Sequence, residues 1–170
     1  MFDKFGKFES FEEINRAAAA QKEQGDEEAL VALALENGLD REDAEDYMDG
    51  AIDKLCTPLS AALGRLRVEA EELKLQREMI DLYEEIVATL MNNEKRDFIK
   101  HGIMRKDKSL AEYLAKVMDL GYKNAVTPPK EILDKLKEVP QQYRTQMKTG
   151  MPNKAERLKL MMDYYGEVTG

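Results

Sequence analysis

The stretch TPLSAALGRLRVEAEELKLQREMIDLYEEIVATLMN (57–92) contains no proline after Pro58 and a single glycine, Gly64. Thr57-Pro58 marks a helix start, an N-cap residue followed by proline at the first helical position, where its missing N–H is not needed. Leu59, Leu63, Leu66, Ala70 and Leu73 then recur at 4,3,4,3 spacing, and Ile80, Tyr83, Val87 and Leu90 resume it. That is the period of an α-helix with one apolar stripe, and no stretch of the chain alternates as a strand does. One long central helix is expected over 57–92; Gln76 and Arg77 interrupt the stripe, which leaves its continuity near 73–77 open. A dimer seam produces the same pattern, but over so few turns a bundle helix is preferred.

On the N-terminal side the chain reads as short capped helices. Ser10 with Glu13 forms a capping box, and Gly25 supplies the stop. A second helix covers about 26–37, where Leu30, Val31, Leu33, Ala34 and Leu35 give a wide apolar face before Asn37-Gly38. Asp40 caps a third, which carries Tyr47 and Met48 and ends near Gly50. A further short helix is expected over 51–56. On the C-terminal side a short helix should end at Gly102. Ser109 with Glu112 is a second capping box, and Gly121 should fall in the frayed end of that helix. Thr127-Pro128-Pro129 opens a helix through Ile132, Leu133 and Leu136, stopped before Pro140. The 148–152 segment is a loop, and Asn153 caps the last helix. The expected fold is all-α, a multi-helix bundle in three parts: short acidic helices (1–56), the central helix (57–92) and a basic helical half (93–170).

Charge is sorted along the chain. Residues 1–53 hold 16 Asp/Glu against 5 Lys/Arg, whereas residues 91–160 hold 9 acids against 16 bases. The overall charge of −8 therefore conceals a dipolar molecule. Such asymmetry bears on partners and association rather than on fold. Cys56 is the only cysteine, so no internal disulfide can form, and its apolar neighbours mark it as a small buried hydrophobe. His101 is the only histidine and has no convergent partners for metal or base chemistry. Tyr164, Tyr165 and the set Phe2, Phe5, Phe8 and Phe11 are expected in the core or as staples. No apolar run approaches the roughly 18 residues of a membrane span. The first ten residues, MFDKFGKFES, lack the apolar stretch of a signal peptide. A cytoplasmic protein with no cofactor and no enzymatic activity is expected.

Two clusters are candidate binding surfaces. The acidic run Asp40, Glu42, Asp43, Glu45, Asp46 and Asp49 is not a calcium loop: no register places ligands at positions 1, 3 and 5 with glycine at 6 and glutamate at 12. It reads either as a solvated helix face or as a surface for a basic partner, with carboxylates standing where phosphates would bind. Like charges at i,i+3 and i,i+4 disfavour an isolated helix by a few tenths of a kcal/mol per pair. The basic set Lys95, Arg96, Lys100, Arg105, Lys106 and Lys108 can contact phosphates non-specifically, on DNA or RNA, or meet the acidic half of a second chain. Sequence-specific DNA reading is disfavoured. The 121–127 connection exceeds the usual turn of a helix-turn-helix, and the helix after it has few Arg, Asn or Gln to reach base edges.

Several stretches together resemble a family of small proteins from phages and conjugative elements of gut bacteria. They are MFDKFG (1–6), FEEIN (11–15), ENGLDREDAEDYMDG (36–50), LCTPLSAALGRLRVEAEELK (55–74), RKDKSL (105–110) and TGMPNKAERLKLMMDYYG (149–166). The group is similar to anti-CRISPR proteins that inhibit Cas9. The resemblance implies a non-enzymatic inhibitor that binds a Cas9-type effector nuclease, in a guide-loaded form among others, and stops DNA recognition or cleavage. It carries over no binding residues. A DNA-binding accessory protein or a homodimerisation module of a mobile element is the alternative.

Overall fold

The computed structural model describes residues 4–92 and 97–166. Ten helices are present among them: α1 (Phe11–Gln24), α2 (Glu27–Glu36), α3 (Arg41–Asp49), α4 (Pro58–Leu73), α5 (Glu78–Met91), α6 (Asp97–Met104), α7 (Leu110–Lys123), α8 (Lys130–Leu133), α9 (Gln141–Arg144) and α10 (Lys154–Gly166). The one extended pairing among the described residues is an antiparallel bridge between Val126 and Thr149. The all-α fold is as the apolar periodicity requires.

The caps read from the sequence do their work. Ser10 Oγ accepts the Glu13 N–H at 3.3 Å, and Thr57 and Ser60 satisfy each other's backbone at 3.1 and 2.9 Å. Asn153 Oδ1 accepts from Ala155 and Glu156, while the Glu156 carboxylate accepts from Asn153 N–H at 2.8 Å. The Ser109 cap has an extra member. Ser109 Oγ accepts Glu112 N–H, but the Tyr164 hydroxyl stands between the Ser109 N–H, at 2.9 Å, and the Glu112 carboxylate, at 3.0 Å. That hydroxyl ties α10 to the start of α7.

The central stretch is two helices, broken where the stripe is interrupted. Lys74 adopts a left-handed conformation (φ 49°) and Arg77 also has positive φ, so the chain turns between α4 and α5. Both helices then share one core, in which Ala62 and Leu66 of α4 are buried with Leu82, Ile86 and Leu90 of α5. Ile99 and Ile103 of α6, Tyr113 and Val117 of α7, and Met161, Tyr164 and Tyr165 of α10 complete it. A second core unites Ile14 and Ala18 of α1, Leu30, Leu33 and Ala34 of α2, and Ala44 and Tyr47 of α3, closed by Ala61 of α4 and Met104 of α6. Thus α4 and α6 each serve both cores, while of the apolar stripe Leu66 and Leu90 are buried, Leu59, Leu63, Ala70 and Tyr83 are partly buried against the first core, and Leu73 and Ile80 are exposed.

Four other expectations are corrected. Residues 51–56 are not helical. Gly50 ends α3 with φ 80°, and Asn15 holds the Cys56 backbone from both sides, donating to its carbonyl at 2.9 Å and accepting its N–H at 3.0 Å. Those bonds replace the ones a helix would supply. Gly102 does not stop a helix; it is buried inside α6, where a Cβ would strike the Tyr165 carbonyl oxygen. Gly121 likewise lies buried in α7 against Gly150, rather than in a frayed end. The helix expected before Pro140 survives as the single turn α8, of which only Leu133 is buried. Proline on both sides leaves a segment too short to be stable without packing.

A close backbone approach in the N-terminal half joins Gly38, between α2 and α3, to Gly64 of α4. A Cβ on either would collide with backbone atoms of the other's segment. Gly64→Ala is therefore expected to lower stability by about 2–3 kcal/mol, as forced overpacking does. Gly25→Ala, with open space around it but φ 66°, should lose only about 1 kcal/mol, the left-handed penalty. Urea titration of the two variants checks the order.

Candidate functional site

The acidic residues sit on α3, a helix fixed at both ends. Asp43 accepts the Asp40 N–H at 3.2 Å, closing a capping box, and Gly50 terminates the helix. Ala44 and Tyr47 anchor its inner face. Three of the six acids are engaged within the chain: Asp40 with Arg67 at 3.1 Å, Asp43 in the box, and Glu45 with Arg41 at 3.8 Å. Glu42, Asp46 and Asp49 are exposed, and their carboxylates form no hydrogen bond or ion pair with another described residue. At i, i+4 and i+7 they share one outward strip, one helical turn (about 5.4 Å) between successive members.

The basic set is dispersed by contrast. Lys95 and Arg96 lie outside the described residues. Lys100 pairs with Asp97 at 2.7 Å, and the hydrogen bond from Lys100 holds the Asp97 carboxyl below its usual range. Arg105 grips Asp107 with two bonds, at 2.9 and 2.8 Å, and lowers that carboxyl likewise. Lys108 is only 6% exposed, with its ammonium 4.6 Å from the Tyr164 ring centroid. It is a packing residue, not a ligand for an outside phosphate. Burial of its stem in the core accounts for this, since a lysine can lay its methylenes on an aromatic face. Lys106 is exposed and without a partner among the described residues.

Behind Lys108 lies a polar core that sequence reading missed. Glu69 of α4 receives Lys7 at 3.2 Å on Oε1 and the Leu110 N–H at 2.6 Å on Oε2. Arg65, 1% exposed, donates to the Phe8 carbonyl at 2.7 Å and stands 3.9 Å from Glu69. Lys7 also donates to the Lys108 carbonyl at 3.0 Å. Burial depresses the Arg65 guanidinium to about 10, against the opposing pull of Glu69, so it stays charged at neutral pH. The i,i+4 spacing of Arg65 and Glu69 was visible in the sequence. Their placement on the buried side of α4 was the missing signal.

The remaining candidates are structural. Cys56 is buried, and burial raises its thiol to about 12. His101 is exposed, its ring 5.8 Å from Phe11. Phe5, Phe8 and Phe11 are half-buried against the N-terminal core, while Phe2 lies outside the described residues. A groove of about 500 Å³ between α5 and α10 is lined by Asp81, Glu84, Glu85, Thr89 and Lys154, with no nucleophile–base pair. Among the described residues no three His, Cys, Asp or Glu converge on a metal position. No helix among them is long and apolar enough to cross a membrane.

Comparison of the chain with protein-family models, with curated proteins and with solved structures finds no match.

Two measurements follow from these placements. Glu69→Ala, which strands Arg65 with a weakened counter-charge, is expected to lower stability by about 3 kcal/mol in chemical denaturation, with Glu69→Gln losing less. Cys56 should react with a thiol-specific disulfide reagent at mildly alkaline pH roughly 10³-fold more slowly in the native than in the denatured chain; comparable rates would contradict its burial.

Proposed function

We propose that the protein is a non-enzymatic inhibitor that binds a Cas9-type CRISPR effector nuclease, in a guide-loaded form among others, inside a bacterial host cell and blocks DNA recognition or cleavage. The observation that carries this reading is the strip of unpaired carboxylates, Glu42, Asp46 and Asp49, on a helix capped at both ends and seated by Tyr47. Accumulated like charges without internal partners disfavour the free helix, and a basic partner surface relieves that repulsion. Effector nucleases hold their guide–target heteroduplex in a positively charged channel. A rigid acidic helix is steered toward such a channel and competes there with phosphates. The resemblance to Cas9 inhibitors supports the same partner. The engagement of Lys100, Arg105 and Lys108 within the chain weighs against a DNA-binding role for the basic set.

The direct test is cleavage of target DNA by purified nuclease and guide, with the protein in several-fold excess; undiminished cutting rejects the reading. The triple reversal E42K/D46K/D49K should weaken inhibition by at least about 10²-fold in the concentration needed, because each reversed contact replaces attraction by repulsion. Asp40 and Asp43 are left intact in that variant because they cap α3, so an unchanged helical circular dichroism spectrum is expected.

A further inference from the structure

The chain between α7 and α10 contributes little to the fold it belongs to. From Tyr122 to Met151 only Leu133 is buried. Tyr122 is 84% exposed, and Val126, Ile132, Tyr143 and Met151 are exposed as well. The ends of this segment are nevertheless pinned. Val126 and Thr149 exchange backbone hydrogen bonds at 2.9 and 3.0 Å, and Gly150 lies directly on Gly121. The exposed Tyr122, Val126 and Met151 lie in or next to this pinned junction along the chain, with Met118 one turn back on α7. Exposed apolar residues grouped in this way mark an interaction surface. Around them Lys123, Lys130, Lys135, Lys137 and Lys148 are exposed and have no ion pair with a described residue.

The complementary surface is on the same molecule. Residues 26–53 hold 11 acids and one base. Glu27, Glu28, Glu42, Asp46, Asp49 and Asp53 are exposed there without partners, and Leu35, 51% exposed, adds an apolar contact point. The well-packed helix pairs that involve α1–α3 join α1 to α2, α2 to α3 and α1 to α4, and none joins α1–α3 to α8 or α9.

We propose that the chain associates head to tail, the 122–151 arm of one copy docking on the acidic α2–α3 face of a second. Burial of Tyr122, Val126 and Met151 supplies affinity, and the lysines opposite carboxylates supply orientation. The contact is heterologous, so each complex keeps one free arm and one free acidic face and extends into rings or short chains. Exposed ion pairs are individually weak and screened, which makes the assembly salt-sensitive. Apolar burial at the junction and charge placement carry the contact together. It shares the acidic face with the proposed nuclease contact but is read in the absence of any nuclease, so either can fail without the other.

Sedimentation velocity of the full chain is the test. At low salt the weight-average mass should rise at least about twofold with concentration, returning to monomer as salt approaches about 0.5 M. K135E/K137E/K148E and E42K/D46K/D49K should each be monomeric at low salt, and an equimolar mixture of the two should associate again, since each supplies the other's missing complement. Recovery on mixing cannot arise from a folding defect. A wild-type chain that stays monomeric throughout overturns the proposal. So does a mixture that fails to recover, or an arm that instead shifts a labelled single-stranded RNA oligonucleotide through these lysines without self-association.

Discussion

The carboxylate of Glu69 is the point on which three remote parts of the chain converge. It binds the ammonium of Lys7 from the N-terminal arm, the first backbone N–H of α7, and the charge of Arg65 one turn earlier on α4. An arginine buried as deeply as Arg65 is unfavourable without a counter-charge and filled donors, because its desolvation exceeds what hydrophobic packing of its stem returns. Glu69 supplies the counter-charge, and the Phe8 carbonyl accepts from one of the guanidinium nitrogens. The arm therefore seats across α4 before α1 begins, and the loop preceding α7 is held by the Lys7 bond to the Lys108 carbonyl. A single ionic knot thus registers the acidic helices against the rest of the bundle. Its specificity comes from the number of fixed donors, not from a large net energy.

Around this knot the molecule separates two kinds of charge. The cations nearest the fold's centre are engaged within the chain: Arg65 and Lys7 with Glu69, Lys100 with Asp97, Arg105 with Asp107, and Lys108 over Tyr164. Charges without partners among the described residues include carboxylates on α2 and α3 and lysines on the 122–151 arm. Electrostatic free energy is therefore held in reserve where partners can reach it. The two proposed partners, a nuclease and a second copy, would compete for the acidic face, so self-association would set the concentration of free chain. Both uses draw on the same physical property, a rigid like-charged strip whose repulsion an external surface relieves.

Much of the secondary structure was legible because capping is local chemistry. Ser10, Thr57, Ser109 and Asn153 each bond N–H groups two or three residues away, so their identity and spacing were sufficient. The break at Lys74–Arg77 was legible as an interruption of the stripe. The readings that failed concern residues whose role depends on what lies opposite. Gly102 and Gly121 resemble helix stops in isolation, yet each is small because Tyr165 or Gly150 backbone lies against it. The 51–56 segment has helical spacing, yet Asn15, 41 residues away from Cys56, takes the hydrogen bonds a helix would have used. Lys108 looked like one more surface cation until Tyr164 and the Lys7 bond closed over it.

By itself the sequence determined the all-α class, the order and caps of the longer helices, the burial of Cys56 and the polarity of the chain from acid to base. These follow from periodicity, short-range hydrogen bonding and composition, all of which act within a few residues. Only the tertiary structure decided which charges remain available. It consumed Asp40, Asp43 and Glu45 in caps and ion pairs, withdrew Lys108 into the core, and left Glu42, Asp46 and Asp49 facing outward. It also left Tyr122, Val126 and Met151 uncovered at a junction built from Gly121 and Gly150. The reason is geometric: a charge or an apolar group becomes a binding feature only when packing elsewhere in the chain fails to reach it, and that depends on contacts between residues far apart in sequence.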